Sequence, residues 1–355
     1  MLTPRENFIR YLKNEPYEWV PSSFDQVRFL PSMIIDNVAR GFVFQQNPVP
    51  AEQYGGKDSF GVEWVYEPSA RGSIDLEPLF ADPDDLENWE TLLKFPDLSK
   101  LDWEGYAARD TASWDREHKL SRVMVGYGMW ERMFSVMDFE DALCALMEEP
   151  EACYEFFGAV ADHKIRLYDY LIRYYKPDIL IMHDDYGSGG GMFMPPQTWR
   201  ELLKPHLQRI IDSIVSKGVM YEHHCCGYFA PILGEIADMG CVATNTMHVC
   251  NKPAELKKEI GHKMCFIGGF DTQLIDKATS TEEDIRASIR STIDDLAPGG
   301  SFIGSCAITN KSRSVICEDE MIRYGSTKYT CPRPDFDADR NDGLGGNPFL
   351  RMNLR

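Results

Sequence analysis

The sequence lacks several patterns that would assign a protein to a class at first reading. Its 355 residues contain no apolar run of the roughly 18 residues that a membrane-spanning helix needs, which argues against a membrane protein. Basic residues number 37 against 56 acidic ones, so the formal net charge is −19 and no nucleic-acid partner is expected. Residues 1–16 hold acidic side chains and no apolar segment, which predicts no secretory signal and a cytoplasmic location.

Motifs of nucleotide-binding and disulfide-exchange proteins are also missing. There is no GxGxxG or GxxxxGK[ST] fingerprint, which counts against the alternative fold, a doubly wound open sheet. The ten cysteines include no CxxC pair, which weakens a thioredoxin-like or zinc-ribbon interpretation. In a cytoplasmic chain such cysteines are more often thiols or metal ligands than disulfides.

A regular alternation of apolar segments and amphipathic segments begins near residue 121. This alternation predicts a parallel sheet, and with further strands earlier in the chain eight units are expected. The fold class is therefore predicted to be α/β, as one (β/α)8 TIM barrel over residues 1–326. The strand candidates lie at residues 123–126, 179–182, 219–222, 242–246, 265–268 and 302–304, and the helix candidates between them at 137–148, 150–175, 196–217, 229–239, 252–261 and 281–296.

Several segments depart from this alternation. Residues 26–42 are predicted to be helical, and residues 54–80 to form an N-terminal excursion with short strands. The glycine-rich residues 187–191 lack the Lys and Ser/Thr of a phosphate loop and are predicted to be a flexible loop at the active site. Residues 327–355 are rich in Pro, Gly, Asp and Asn without periodicity, which predicts an irregular C-terminal tail.

Polar residues follow the predicted strands, and the run YEHHCCG at residues 221–227 has the most informative pattern. In a strand, His224 and Cys226 point to one face because they are two residues apart. An imidazole and one or two thiolates suit zinc, and Cys306, after another apolar segment, is the candidate third ligand. Three protein ligands leave one coordination position open, as in catalytic zinc sites. The alternative is that these cysteines are ordinary buried apolar residues.

Three further segments carry a family resemblance: MPPQTWRELLKP at residues 194–205, IGGFDTQ at 267–273 and LAPGGSFI at 296–303. Together with the opening PRENFIRYLKNEPYEWVP, they resemble the uroporphyrinogen decarboxylase superfamily over residues 1 to about 325. That superfamily has a single TIM-barrel domain, so the resemblance implies the same fold as the alternation of segments does.

The resemblance extends to one of the two chemistries of the superfamily. Its decarboxylases carry an arginine pair after the first strand and a GHG motif near the end. Here only Arg28 remains in the first region, and Ser305-Cys306-Ala307 stands at the second. Its methylcobamide-dependent methyltransferases hold zinc with a His-x-Cys-Gly motif and a later cysteine, which His224, Cys226 and Cys306 match.

The resemblance thus implies a zinc-dependent methyltransferase that moves a methyl group between a corrinoid and a small molecule, such as a methoxylated compound or a thiol. Asp184 or Asp185, after a predicted strand, is the candidate to orient a zinc ligand or position the substrate. No DxHxxG cobalamin-binding loop is present, so the corrinoid is expected on a partner protein or free. A metal-free decarboxylase and a non-enzymatic zinc or corrinoid carrier are the alternatives, and a homodimer is one option for assembly.

Overall fold

The computed structural model of the chain describes residues 2–21, 26–29, 55–67, 72–306, 308 and 310–328. These residues form two compact units. The terminal unit contains the described residues within Met1–Val27, Trp114–Ser121 and Cys225–Arg355. The central unit contains those within Arg28–Ser113 and Arg122–His224.

Strands and helices alternate through most of the described chain. The strands are β1 (Gln26–Phe29), β2 (Gly56–Lys57), β3 (Glu63–Glu67), β4 (Gly72–Asp75), β5 (Leu120–Val125), β6 (Ile179–His183), β7 (Gly187–Ser188), β8 (Gly191–Met192), β9 (Met220–His224), β10 (Cys241–Met247), β11 (Cys265–Gly268) and β12 (Phe302–Ile303). The α-helices are α1 (Pro4–Leu12), α2 (Trp89–Leu92), α3 (Trp103–Asp110), α4 (Met129–Val136), α5 (Phe139–Glu148), α6 (Pro150–Tyr175), α7 (Pro196–Leu202), α8 (Lys204–Val215), α9 (Ala230–Asp238), α10 (Pro253–Ile260), α11 (Thr272–Asp276), α12 (Glu282–Leu296) and α13 (Lys311–Lys328).

Local sequence explains where several helices begin and end. Helix α1 begins after Thr3, whose hydroxyl accepts from the backbone N–H of Glu6, while the Glu6 carboxylate accepts from the Thr3 N–H in return. Helix α6, at 26 residues the longest in the described part of the chain, begins with Pro150 at its first position, where a missing N–H is harmless. It ends at Lys176, whose φ of 48° lies in the left-handed region. The start of α6 agrees with the sequence prediction.

In the central unit, β5, β6 and β9 pair as parallel neighbours. The register of β6 and β9 sets His183 opposite His224, so that the last residues of the two strands are adjacent. Beneath them, Arg122 on β5 and Glu222 on β9 form a buried ion pair, in which Arg122 Nε donates to Glu222 Oε2 at 3.0 Å. This pairing ties two strands together inside the unit.

In the terminal unit, β10, β11 and β12 also pair in parallel. Helix α1 is joined to this sheet by Tyr11, whose hydroxyl donates to the carbonyl of Phe302 at 2.5 Å. Helices α12 and α13 pack their apolar faces into a common buried cluster with Phe270 and Phe302. Cys306 and Cys317 belong to that cluster.

The structure corrects two local predictions. Residues 26–42 were expected to be helical, but Gln26–Phe29 is the strand β1, because Val and Phe favour extended backbone; residues 30–42 and the side chain of Arg28 lie outside the described part. Residues 187–191, expected to be a flexible loop, fall in the antiparallel hairpin β7–β8, whose turn is Gly189-Gly190.

Two further segments bear on the sequence predictions. The excursion at residues 54–80 contains the antiparallel sheet β2-β3-β4, in agreement with the short strands predicted there. Helix α13 extends to residue 328, two residues into the predicted tail. The rest of that tail lies outside the described residues, so the predicted domain boundary stays a prediction.

Candidate metal site

The ends of β6 and β9 bring four potential metal ligands together. They are His183, Asp185, His224 and Cys226, and one ligand atom from each lies within 4.8 Å of the others. The rings of His183 and His224 stack with their centroids 4.2 Å apart and their planes 17° from parallel. Cys226 follows His224 by two residues, and Asp185 follows His183 by two residues.

The chemistry of this set fits a zinc ion. Two imidazole nitrogens, a carboxylate oxygen and a thiolate sulfur are all zinc ligands in proteins. Burial lowers the pKa of His183, but the negative charges of Glu131 and Asp185 outweigh it and raise the pKa to about 9. The surrounding carboxylates thus favour a positive charge at this position, which a metal cation would supply in place of the proton.

Glu131 is a member of the site that the sequence prediction missed. It lies in the first turn of α4, and its Oε2 is 2.7 Å from His183 Nδ1. The other ring nitrogen, His183 Nε2, lies 3.9 Å from Asp185 Oδ1. Glu131 carries no pattern that marks it in the sequence, because it lies 52 residues before its partner and in a segment of ordinary helical composition.

Asp184 has a different environment from its neighbour Asp185. It is fully buried, and its carboxylate accepts from the backbone N–H groups of Met129 at 3.0 Å, Trp130 at 3.4 Å and Glu131 at 3.0 Å. Burial and the charge of Glu131 raise its pKa to about 7, against the lowering effect of these hydrogen bonds. Asp184 therefore anchors the start of α4 and, through it, the position of Glu131.

Gly128 makes this anchoring sterically feasible. A Cβ atom at residue 128 would lie 2.2 Å from Asp184 Cγ, too close for any other residue to fit without a shift. The Gly128 N–H also donates to the carbonyl of His183 at 2.6 Å. The segment before α4 is thus joined to the end of β6 by backbone as well as side-chain contacts.

His223 and Cys225 do not belong to the four-ligand group. His223 is buried, its Nδ1 is 2.8 Å from the Tyr221 hydroxyl, and its ring stacks on Tyr186 at 5.4 Å. Burial, and then the charge of His183, lower its pKa to about 3, so this imidazole is neutral at physiological pH. Cys225 is also buried, and its thiol donates to the carbonyl of Cys226 at 3.3 Å.

The chain after Cys226 is held by Asn251. The Asn251 side-chain oxygen accepts from the N–H groups of Phe229 at 2.8 Å and Ala230 at 3.0 Å, and its amide donates to the Gly227 carbonyl at 2.7 Å. Gly227 has a φ of 71°, a conformation that favours glycine. The turn that follows the His-x-Cys sequence is therefore fixed on both sides.

Cys306 is not among the four grouped residues. It is buried in the apolar cluster of the terminal unit, where its thiol hydrogen-bonds with that of Cys317. That hydrogen bond, and then burial, raise the pKa of the Cys306 thiol well above its ordinary value. Its role as a third zinc ligand, like the catalytic roles of Asp184 and Asp185, stays a prediction.

Comparisons with known proteins agree on the fold. A family model described as uroporphyrinogen decarboxylase (URO-D) matches residues 57–309. A solved structure, a methyltransferase from Methanosarcina mazei, is similar with a TM-score of 0.64 at 15% identity, over 89% of this chain and 97% of its own. The α/β prediction of TIM-barrel type is thereby confirmed.

Other comparisons add less. An L-ribulose 3-epimerase structure is similar at 12% identity over 72% of this chain and 84% of its own, but its TM-score of 0.34 is too low to support an argument. The search of curated protein sequences gave no match. Within the described part of the chain, no helix has both the length and the apolar character that crossing a membrane requires.

Proposed function

This chain belongs to the uroporphyrinogen decarboxylase family, and we propose that it is a zinc-dependent methyltransferase that moves a methyl group between a small molecule and a corrinoid. The observation that carries the proposal is the grouping of His183, Asp185, His224 and Cys226 within 4.8 Å. A metal-free decarboxylase has no need of such a ligand set. The name of the similar solved structure, a methyltransferase, supports the same choice.

In this proposal His224 and Cys226 hold the metal, and Cys306 is the further sulfur ligand that the family resemblance implies. A zinc ion there supplies Lewis acidity, which lowers the pKa of a bound thiol or improves the leaving group of a methyl donor. Asp185 has a side chain that is 23% exposed, so it is open to a substrate. Asp184 is buried and already bonded to α4, which leaves the substrate-positioning role to Asp185.

The corrinoid is proposed to come from outside this chain. The sequence holds no DxHxxG-type loop, so a corrinoid arrives on a partner protein or free in solution. The methyl-bearing small molecule is proposed to be a methoxylated compound, a methylamine-like donor or a thiol acceptor. The corrinoid supplies the cobalt that gives or accepts the methyl group. This chain binds and activates the small-molecule substrate.

The zinc content of the purified protein tests the proposal. We expect about one zinc per chain in the wild type and loss of that zinc in the double variant His224→Ala/Cys226→Ala. A matched control, His118→Ala/Cys144→Ala, removes the same two residue types from exposed positions and should retain the metal. Absence of zinc from freshly prepared, reduced wild-type protein would contradict the proposal.

A second measurement tests the reaction itself. Cob(I)alamin is mixed with the zinc-loaded protein and candidate methyl donors, and the corrinoid absorption is followed with time. We expect a change in absorption with at least one donor in the wild type and none in His224→Ala/Cys226→Ala. Carbon dioxide release from uroporphyrinogen, with no corrinoid response, would instead favour the decarboxylase alternative.

A further inference from the structure

We propose that Glu131 is a positioning residue for the metal: it holds His183 so that Nε2 is presented as a metal ligand that the His-x-Cys-Gly motif does not contain. The inference rests on the proposed function, since it needs a metal at this site. It adds one ligand from β6 and one supporting carboxylate from α4 to the set expected from the sequence, so a bound substrate would take a fifth coordination position, which catalytic zinc sites permit.

The ring orientation of His183 carries the argument. Its Nδ1 lies 2.7 Å from Glu131 Oε2, which is the distance of a strong charge-assisted hydrogen bond. A carboxylate only accepts, so Nδ1 must carry the proton that is donated to it. In the neutral imidazole Nε2 then has the free lone pair, and Nε2 is the nitrogen that faces Asp185.

The position of Glu131 is itself fixed from several directions. Its backbone N–H donates to Asp184 at 3.0 Å, and its side chain is only 6% exposed. The Gly128 N–H binds the carbonyl of His183, so the same two segments are joined through their backbones. Glu131, Asp184 and His183 are therefore joined through the start of α4, and burial of the Glu131 side chain restricts the movement of its carboxylate away from the ring.

A carboxylate behind a ligating histidine has two physical effects. It fixes the tautomer and the ring orientation, and it makes the ligating nitrogen more basic. Loss of such a partner typically weakens metal binding by about 10- to 100-fold. His183 also stacks on His224 at 4.2 Å, so a ring that turns freely would disturb the neighbouring ligand as well.

Zinc affinity of the metal-free protein provides the test. The wild type, Glu131→Gln, His183→Ala and the double variant are each titrated with Zn²⁺ in competition with a chromophoric chelator. We expect Glu131→Gln to weaken zinc binding by about 10- to 100-fold and His183→Ala by at least as much. In the His183→Ala background, Glu131→Gln should have no further effect, because Glu131 acts through His183.

Asp110→Asn is the matched control for loss of a buried carboxylate. Asp110 is also buried and accepts a hydrogen bond, from the Tyr175 hydroxyl at 2.8 Å, but it belongs to no potential ligand group. It should cost stability and leave the zinc affinity unchanged. If Glu131→Gln behaves like this control, or weakens binding equally with and without His183, the inference is overturned while the proposed function stands.

Cobalt substitution keeps the inference testable even if Glu131→Gln does not fold. The visible absorption of Co²⁺ bound to the wild type is compared with that of His183→Ala, which removes one nitrogen donor. A changed spectrum supports His183 as a ligand, and an unchanged spectrum overturns the inference. A wild-type protein that binds neither Zn²⁺ nor Co²⁺ removes both the inference and the proposed function.

Discussion

Asp184 and Asp185 are adjacent in the chain, yet their environments give them different tasks. Asp184 is buried against the start of α4 and accepts three backbone hydrogen bonds, whereas Asp185 is partly exposed beside His183. Both residues follow the end of β6, where the Asp184 side chain is directed to the start of α4 and the Asp185 side chain lies beside His183. The fold therefore gives two residues that look equivalent in sequence different roles, with Asp184 as an anchor and Asp185 as a candidate to position the substrate.

The anchoring role of Asp184 predicts a large loss of stability. Asp184→Ala leaves buried backbone N–H groups without an acceptor, and we expect the free energy of unfolding to fall by about 3 kcal/mol. Asp138→Ala, which removes an exposed side-chain acceptor at the start of α5, should cost only about 1 kcal/mol. Urea unfolding followed by circular dichroism measures both, and equal losses would contradict the assigned role.

The cysteines permit a direct comparison of ligand candidates. Cys226→Ala should abolish stable zinc binding, because it removes the sulfur from the four-residue group. Cys306→Ala should also abolish it, because the family resemblance implies that Cys306 is a further zinc ligand. Cys317→Ala, which removes the thiol partner of Cys306, serves as the control and should keep the metal. Zinc retained by Cys306→Ala would leave the two histidines and Cys226 as the protein ligands.

The sequence predicts His224 and Cys226 of the site but not Glu131, for a physical reason. His224 and Cys226 are close in sequence, so their spacing shows that they can share a face. Glu131 reaches the site from a helix that begins 55 residues before Asp184. Contacts of that kind depend on tertiary packing, and no local periodicity in a single sequence records them.

The regular α/β alternation of the sequence made most strands and helices predictable. The predicted helix at 150–175 coincides with α6, whereas the predicted helix at 196–217 is divided into α7 and α8 at Leu203. Pro205, in the first turn of α8, lacks the N–H that would continue a helix from α7. The hairpin β7–β8 was missed because its strands have only two residues each, too few for an alternating pattern.

The end of α6 contains a residue whose replacement by glycine should stabilise the protein. Lys176 adopts a left-handed conformation that costs a residue with a Cβ atom about 1 kcal/mol more than glycine. Lys176→Gly should therefore raise the free energy of unfolding by about that amount. Lys176→Ala, which removes the side chain but keeps the Cβ atom, should give no gain. Denaturant unfolding of the two variants measures both free energies. An increase in both variants would show that the lysine side chain, and not the backbone conformation, destabilises the wild type.

A metal that binds only the folded chain must stabilise it. Free zinc at about 100 times its dissociation constant adds about 2.7 kcal/mol to the free energy of unfolding. We expect a higher melting temperature in excess zinc than in a chelator for the wild type. His224→Ala/Cys226→Ala should melt at the same temperature in both conditions. A zinc effect of equal size in this variant would mean that the ion binds elsewhere.

The buried pair of Arg122 and Glu222 has an evolutionary consequence. Loss of either residue alone leaves an unpaired charge in the interior and lowers the free energy of unfolding by about 3–5 kcal/mol. Replacement of both residues by apolar ones can be neutral. Arg122→Met and Glu222→Leu should each lower the free energy of unfolding far more than the double substitution does. Urea titrations of the three variants would measure this difference. Although they lie 100 residues apart, these two positions should covary among homologues. A change of residue 122 on β5 should therefore be accompanied by a change of residue 222 on β9.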